Sequence, residues 1–307
     1  MPTEPRRILI LGGDGQVAWE LRRTLATLGE VVAVGRRTQP YCLDLMQPET
    51  ILPLVEQVRP AWIVNAAAYT AVDKAEQEPD LAAAVNAVAP GWLAEAAGRV
   101  GAQLLHYSTD YVFDGTATTP YQEDAAPNPQ GVYGRTKLAG EEAIAKAGCD
   151  WLILRTAWVY GARGGNFMRT MRRLAREREA LSVVADQHGA PTWSRHIAEA
   201  TALILAQLGD DRAAWHRACG LYHLTSAGAA TWHAFAERIV EHQRRHETIA
   251  CQQVTAIATA DYPTPAKRPA YSVLDNGKLA ATFGIRLPDW RDALAQVQED
   301  LDTYPNP

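Results

Sequence analysis

Tyr133 and Lys137 stand four residues apart in the stretch Val132-Tyr133-Gly134-Arg135-Thr136-Lys137. The residues that follow are mostly helix formers, so both side chains should share one helical face. A phenol beside an ammonium is a tuned acid. The positive charge favours the phenolate and should lower the tyrosine from its usual ~10 toward the pH at which a general acid or base works best. With eleven tyrosines and five lysines, such a spacing arises by accident about 0.2 times in a chain of this length. The pair therefore acquires meaning only from the elements that position it.

Residues 8–11 form a short apolar strand ending in Gly12-Gly13-Asp14-Gly15-Gln16-Val17-Ala18, and an amphipathic segment follows from Trp19 to about Leu28. Such a strand, glycine turn and helix lets the backbone approach a pyrophosphate, whose charge is received by the amides at the helix N-terminus. Two registers fit, Gly13-x-Gly15-x-x-Ala18 and Gly12-x-x-Gly15-x-x-Ala18, and the second, wider spacing is preferred. A second strand, residues 31–34, ends in Gly35-Arg36-Arg37, where an NAD-specific protein often carries a carboxylate for the ribose 2'-hydroxyl. Two guanidiniums suit a 2'-phosphate instead. NADPH is accordingly expected, with NADH as the alternative cofactor if these arginines are only a solvated surface pair. Asp44 and Leu45, read as following another short strand, are placed to meet the adenine edge.

A helix-like segment at 49–58 leads to the strand 62–64 and then to Asn65-Ala66-Ala67-Ala68-Tyr69-Thr70, whose small residues leave room for a flat ligand at the sheet edge. A helix reaches through Asn86 to about Ala97, and the strand 103–107 delivers Ser108-Thr109-Asp110-Tyr111-Val112-Phe113. This alternation predicts an α/β fold, a Rossmann-like doubly wound parallel sheet. Thr109 is placed to hydrogen-bond a carbonyl beside the cofactor, although a hydroxyl at a strand end also serves as a backbone cap. Residues 116–130 read as a loop feeding the Tyr133 helix, and a strand at 151–154 precedes Arg155-Thr156-Ala157-Trp158-Val159-Tyr160-Gly161.

Beyond this point come a basic helix to about Arg178, a strand at 181–184, helices at 197–208, 232–246 and 290–301, and a loop at 262–271. Residues 1–155, with returning segments at about 176–215 and 249–275, are expected to form the nucleotide-binding domain. Residues 156–175, 216–248 and 276–307 are expected to form a smaller, discontinuous substrate-binding domain.

Bulk properties exclude several classes. Thirty basic against 35 acidic residues and a pI near 5.9 do not advertise a polyanion partner, so no nucleic acid is expected. No apolar run approaches ~20 residues, and the N-terminal stretch lacks the core of a secretory signal, so neither a membrane span nor export is expected, and cytoplasmic is the default location. Four scattered cysteines without C-x-x-C spacing read as reduced thiols. His242 and His246 have helical metal-ligand spacing, but the neighbouring Gln243, Arg244 and Arg245 favour a solvated face, and no metal is expected there.

Taken together, these motifs resemble the extended short-chain dehydrogenase/reductase family over nearly the whole chain. The resemblance rests on the Gly12 turn, residues 65–76, Ser108-Thr109-Asp110-Tyr111-Val112-Phe113, the Tyr133 segment, Arg155-Thr156-Ala157-Trp158-Val159-Tyr160-Gly161, Asn166-Phe167, the Asp186 to Thr192 motif and Arg268-Pro269. It implies Thr109, Tyr133 and Lys137 as the catalytic triad. Gly12, Gly15, Gln16, Val17, Asp44, Leu45, Ala67, Ala68 and Thr70 would line the cofactor, with Tyr133 and Lys137 beside it. Val72, Thr109, Tyr111, Trp158 and the Arg268 region would meet a sugar nucleotide. The implied activity is NADPH-dependent reduction of the C4 ketone of a dTDP-linked deoxysugar. Two alternatives stay open: another nucleotide-linked 4-ketosugar as substrate, or a non-catalytic NADP-holding regulatory subunit. Asp275 stands where some relatives have asparagine. Arg195 stands where some members carry an acidic residue that helps hold Mg2+ between subunits, which counts against a metal-bridged homodimer while leaving a homodimer as such open.

Overall fold

The computed structural model describes residues 6–303; residues 1–5, part of the stretch read for a secretory signal, and residues 304–307, the end of the last expected domain segment, lie outside the described residues. Apolar runs without polar alternation form strands covered on both faces. Six of them, β1 (Arg7–Leu11), β2 (Glu30–Val34), β3 (Trp62–Asn65), β4 (Gln103–Thr109), β5 (Trp151–Thr156) and β6 (Gly220–His223), make one parallel sheet in the order β6-β5-β4-β3-β1-β2. The doubly wound α/β architecture is the expected one. Among the described residues, eight helices of two turns or more are α1 (Gln16–Thr24), α2 (Ile51–Val58), α3 (Ala89–Val100), α4 (Val132–Lys146), α5 (Phe167–Glu177), α6 (Ser194–Leu208), α7 (Trp232–His246) and α8 (Trp290–Thr303). Among the described residues no helix is long and apolar enough to cross a membrane.

Strand side chains alternate between two cores. Ile8 and Ile10 of β1 join Leu105, Leu152 and Leu154 against α1 and α6, while Leu9 and Leu11 join Leu104 and Ile153 against α2, α3 and α4. A third core lies away from the sheet, where Met168 and Met171 of α5, Phe235 and Ile239 of α7, and Trp290 and Leu294 of α8 pack with Tyr160 and Trp193.

Several segments fall differently from the sequence reading. Residues 220–223, grouped there with the smaller unit, extend the large sheet beside β5, and the Gly277–Phe283 helix packs Leu279 and Phe283 into the same core. Conversely, the Ala180–Val184 strand pairs with Gln253–Ile257, and Leu181, Val183 and Cys251 enter the third core. Local patterning is indifferent to which core a returning segment joins, because that choice is made by long-range packing. Among the described residues no further strand lies between β2 and Asp44-Leu45; an isolated bridge between Gly35 and Cys42 holds that turn. The helix through Asn86 is interrupted by a π-helical turn at Ala84–Val88.

Helix α4 lies unusually close to its neighbours. A Cβ on Gly134 would sit 2.2 Å from the Tyr111 carbonyl oxygen, and one on Gly140 would sit 2.1 Å from that of Asn86. The Glu76 carboxylate accepts from the backbone N–H of Val132 at 2.7 Å, satisfying a donor at the helix start. One turn beyond Lys137, Glu141 receives a two-pronged grip from Arg155 of β5, at 2.9 and 2.6 Å, with both side chains buried. Breaking one partner of a buried ion pair leaves an uncompensated charge and costs about 3–5 kcal/mol. Arg155→Met should therefore lose stability of that order in urea unfolding, and a loss below ~1 kcal/mol would show that the pair does not anchor α4.

Candidate functional site

A cleft of about 780 Å3 opens along the C-terminal ends of β1, β3 and β4, the edge at which parallel sheets receive ligands. Gly12 adopts φ +83°, and a Cβ there would lie 2.9 Å from the backbone of Ala67, so the turn and the β3 loop meet only because position 12 lacks a side chain. Gly15 then caps α1 without a side chain of its own, leaving the first amides of a nine-residue helix facing the cleft. Such a cradle fits a dinucleotide pyrophosphate.

Of the expected cofactor residues, Gly12, Gly15, Gln16, Val17, Arg36, Asp44, Leu45, Ala67, Ala68, Thr70, Tyr133 and Lys137 all line this cleft. Arg37 does not, although both arginines are exposed at the end of β2, so Arg36 is the one placed on the cleft wall. Val72, Thr109, Tyr111, Trp158 and Arg268 lie outside the cleft lining. Val72 opens the short Val72–Ala75 helix. The Tyr111 ring meets Tyr133 edge-on at 5.6 Å. The neighbouring Asp73 holds Arg268 through contacts of 3.0 and 2.8 Å, which keeps the Asp73 carboxyl below its ordinary range. Trp158 has φ +46°, a strained backbone for a bulky residue, and stacks on Trp232 with ring centroids 3.6 Å apart.

The chemistry of the reactive pair differs from the sequence expectation. The Tyr133 ring keeps some exposure, yet the surrounding protein desolvates the phenol and pushes it up to about 12; the Thr109 hydroxyl pulls the other way, and the Asp110 charge adds to the rise. The Nζ of Lys137 lies 3.0 Å from Nε2 of His106 and donates to the Tyr107 carbonyl at 2.6 Å, so burial and not the neighbouring ammonium dominates the phenol. Burial brings Lys137 itself down to about 8, against an opposing pull from Glu141. Burial likewise raises Asp110 to about 6, with Ser272 and Thr109 partly offsetting it. A phenol with a raised pKa stays protonated at neutral pH, the state a proton donor requires.

Sequence reasoning passed over several polar residues that hold these groups. Asn86, in the π-helical turn, accepts from the Tyr69 N–H at 2.8 Å and donates to the Tyr69 carbonyl at 3.1 Å and to Thr136 at 3.3 Å, clamping the β3 loop to α4. Asn65 and His106 lie beneath the cleft and are fully buried. Their signal was a polar residue inside an otherwise apolar strand.

Arg195 answers the question of magnesium. Its guanidinium lies 2.7 Å from Asp300 and 3.7 Å from Glu20, so a fixed cation already neutralises both carboxylates and the residues do not fit a divalent ion. At α7, Asp302 joins His242 and His246, their ligand atoms all within 4.8 Å of one another, and His242 is largely buried rather than on a solvated face. The Asp302 carboxylate is already paired, however, with His242 at 2.9 Å and Arg172 at 2.6 Å, and Arg172 brings a positive charge to the same group.

A doubly wound sheet, a glycine cradle and a Thr-Tyr-Lys group at the sheet edge define an oxidoreductase of the short-chain dehydrogenase/reductase class. Residues 6–303 match the family described as RmlD substrate binding domain. The dTDP-4-dehydrorhamnose reductase of Burkholderia thailandensis is 51% identical over 298 residues, covering 96% of this chain and 99% of that one. The enzyme of the same name from Escherichia coli K12 is 44% identical over 299 residues, covering 96% and 98%. A crystal structure of dTDP-4-dehydrorhamnose reductase from Bacillus anthracis in complex with NADP superposes with a TM-score of 0.86 at 32% identity, covering 97% of this chain and 100% of that one. The chain belongs to the dTDP-4-dehydrorhamnose reductase family.

Charged hydrogen bonds are worth about 1.5–3 kcal/mol, so Arg36→Ala should weaken NADPH binding by about 10- to 100-fold in fluorescence titration while Arg37→Ala changes it little. Equal losses in both variants would contradict the placement of Arg37. EDTA should leave the thermal midpoint of the protein unchanged, and a fall of several degrees would reveal a bound divalent ion.

Proposed function

We propose that the protein reduces the C4 ketone of dTDP-4-dehydro-β-L-rhamnose, giving dTDP-β-L-rhamnose, with NADPH as reductant, as the last step in making that nucleotide sugar. The observation that carries this reading is the meeting of Thr109, Tyr133 and Lys137 at the end of β4, beside a cleft whose glycine cradle fits a dinucleotide. The names of the relatives and the NADP in the Bacillus anthracis structure support the choice of substrate and cofactor. NADPH, when bound, supplies the hydride, which no side chain can provide.

The chain's own residues supply the proton and the geometry. Tyr133, kept protonated by burial, donates its proton to the C4 oxygen as negative charge develops there. Thr109 offers a second hydrogen bond to the same oxygen. The positive charge of protonated Lys137 offsets the phenolate left behind. Arg36 takes the ribose 2'-phosphate, while Val72, Tyr111, Trp158 and Arg268 face the sugar nucleotide. The third core, built from α5, α7 and α8, is the unit that covers it. The apolar face of Trp158 suits a 6-deoxy sugar, whose methyl group makes that edge less polar.

Losing a general acid costs about 10²- to 10⁴-fold in rate. Tyr133→Phe should lose kcat on that scale, followed by NADPH absorbance with the ketosugar generated by the preceding epimerase, while retaining NADPH binding. Full turnover by that variant would sink the assignment of the acid. A product other than dTDP-β-L-rhamnose in NMR would overturn the substrate.

A further inference from the structure

His106 lies on β4 three residues before Thr109, is wholly buried, and has no part in the chemistry described so far. Its two ring nitrogens make different contacts. Nδ1 lies 3.0 Å from Nδ2 of Asn65, and Nε2 lies 3.0 Å from Nζ of Lys137. The orientation of the Asn65 amide is set from outside the pair: its Oδ1 accepts from the backbone N–H of Ala67 at 3.1 Å, and a backbone N–H can only donate. The Asn65 NH2 group is thereby turned toward His106, so Nδ1 is an acceptor and the neutral ring carries its hydrogen on Nε2. Burial holds His106 well below its ordinary value, which keeps the ring neutral.

That hydrogen points at Lys137. An ammonium has three donors and no lone pair, so it meets Nε2–H as donor against donor. A neutral amine accepts from Nε2–H and still donates to the Tyr107 carbonyl. Moving the ring hydrogen to Nδ1 relieves Lys137 only by facing the Asn65 NH2 with another donor. We propose that His106 is a positioning residue that sets the proton affinity of Lys137, the polar chain from Ala67 through Asn65 to His106 ending in a donor that favours the amine over the ammonium. The chain begins at Ala67, on the cleft wall, and ends at the residue whose charge must already be present when the phenolate forms.

The other titratable groups around Lys137 are Tyr133 and Glu141 on its own helix, with Asp110 behind Tyr133 and Arg155 on β5 neutralising Glu141. None of them reverses the polarity of the chain. The consequence for activity is that kcat falls on the alkaline side at a lower pH than burial of a lysine alone would set. This part of the inference rests on the reading of Lys137 as the support of the Tyr133 phenolate.

Asn65→Asp tests the idea with little change of shape. One carboxylate oxygen keeps the Ala67 bond and the other accepts from Nδ1–H, so Nε2 turns its lone pair to Lys137. The alkaline limb of the kcat profile should then move up by about one pH unit or more. Asn65→Ala, which adds no charge, should move it the same way by less, and an unmoved limb in both variants would overturn the proposal. A second measurement needs no turnover. In 15N NMR of histidine-labelled protein, the His106 signal, identified by its loss in His106→Gln, should show hydrogen on Nε2 in the wild type and on Nδ1 in Asn65→Asp. A wild-type ring carrying its hydrogen on Nδ1 would refute the donor chain, whatever the substrate proves to be.

Discussion

The buried grip of Arg155 on Glu141 is the constraint to which the reacting groups answer. Helix α4 carries Tyr133 and Lys137, and its side chains serve a reaction only if they are held to within about 0.5 Å of a productive position. Apolar packing alone is poor at fixing helix rotation and slide, whereas a planar fork gripping a carboxylate permits one register. Desolvating both charges is costly, and such pairs add little stability over an apolar substitute. Here the return is placement: Glu141 lies one turn from Lys137, while Gly134 and Gly140 let the helix settle on the backbones of Tyr111 and Asn86.

Bringing α4 this close buries the two groups it delivers, and their electrostatics follow from that burial. Desolvation opposes the charged form of each, so Tyr133 moves up to about 12 while Lys137 moves down to about 8. The two shifts are complementary. Tyr133 waits with its proton in place, and Lys137 stands near the pH at which its charge responds to small changes in its surroundings. The phenolate becomes affordable only when that charge is present and nearby.

Much of this was legible in one dimension, for identifiable reasons. The strands read as strands because both faces of the sheet are covered, and Tyr133 with Lys137 read as a pair because helical spacing makes them neighbours. The glycine turn read as a cradle because position 12 needs a positive φ and no Cβ. What failed depended on distance across the fold. The expected lowering of the Tyr133 pKa used the spacing to Lys137 and could not include burial or the competing partners His106 and Tyr107. Arg36 and Arg37 are adjacent in sequence, yet only Arg36 lines the cleft. Asn65, Asn86 and His106 were hidden because a buried polar residue gains its meaning from a partner on another element.

Trp158 shows how the two parts of the molecule share one strained joint. It follows the end of β5, in a backbone conformation that a bulky residue holds at a cost of order 1–3 kcal/mol. The ring lies flat on Trp232, the first residue of α7, which in turn contacts Phe167 at the start of α5. Gly189 gives way beneath it, since a Cβ there would come within 2.4 Å of the indole. Both helices contribute to the third core. Stacking against that core therefore opposes the relaxation of a residue rooted in the sheet, and a displacement of α5 or α7 would release the strain at the sheet edge. The indole is thus held by the same contacts that seat the smaller core against the sheet, so its position is fixed by the packing between them.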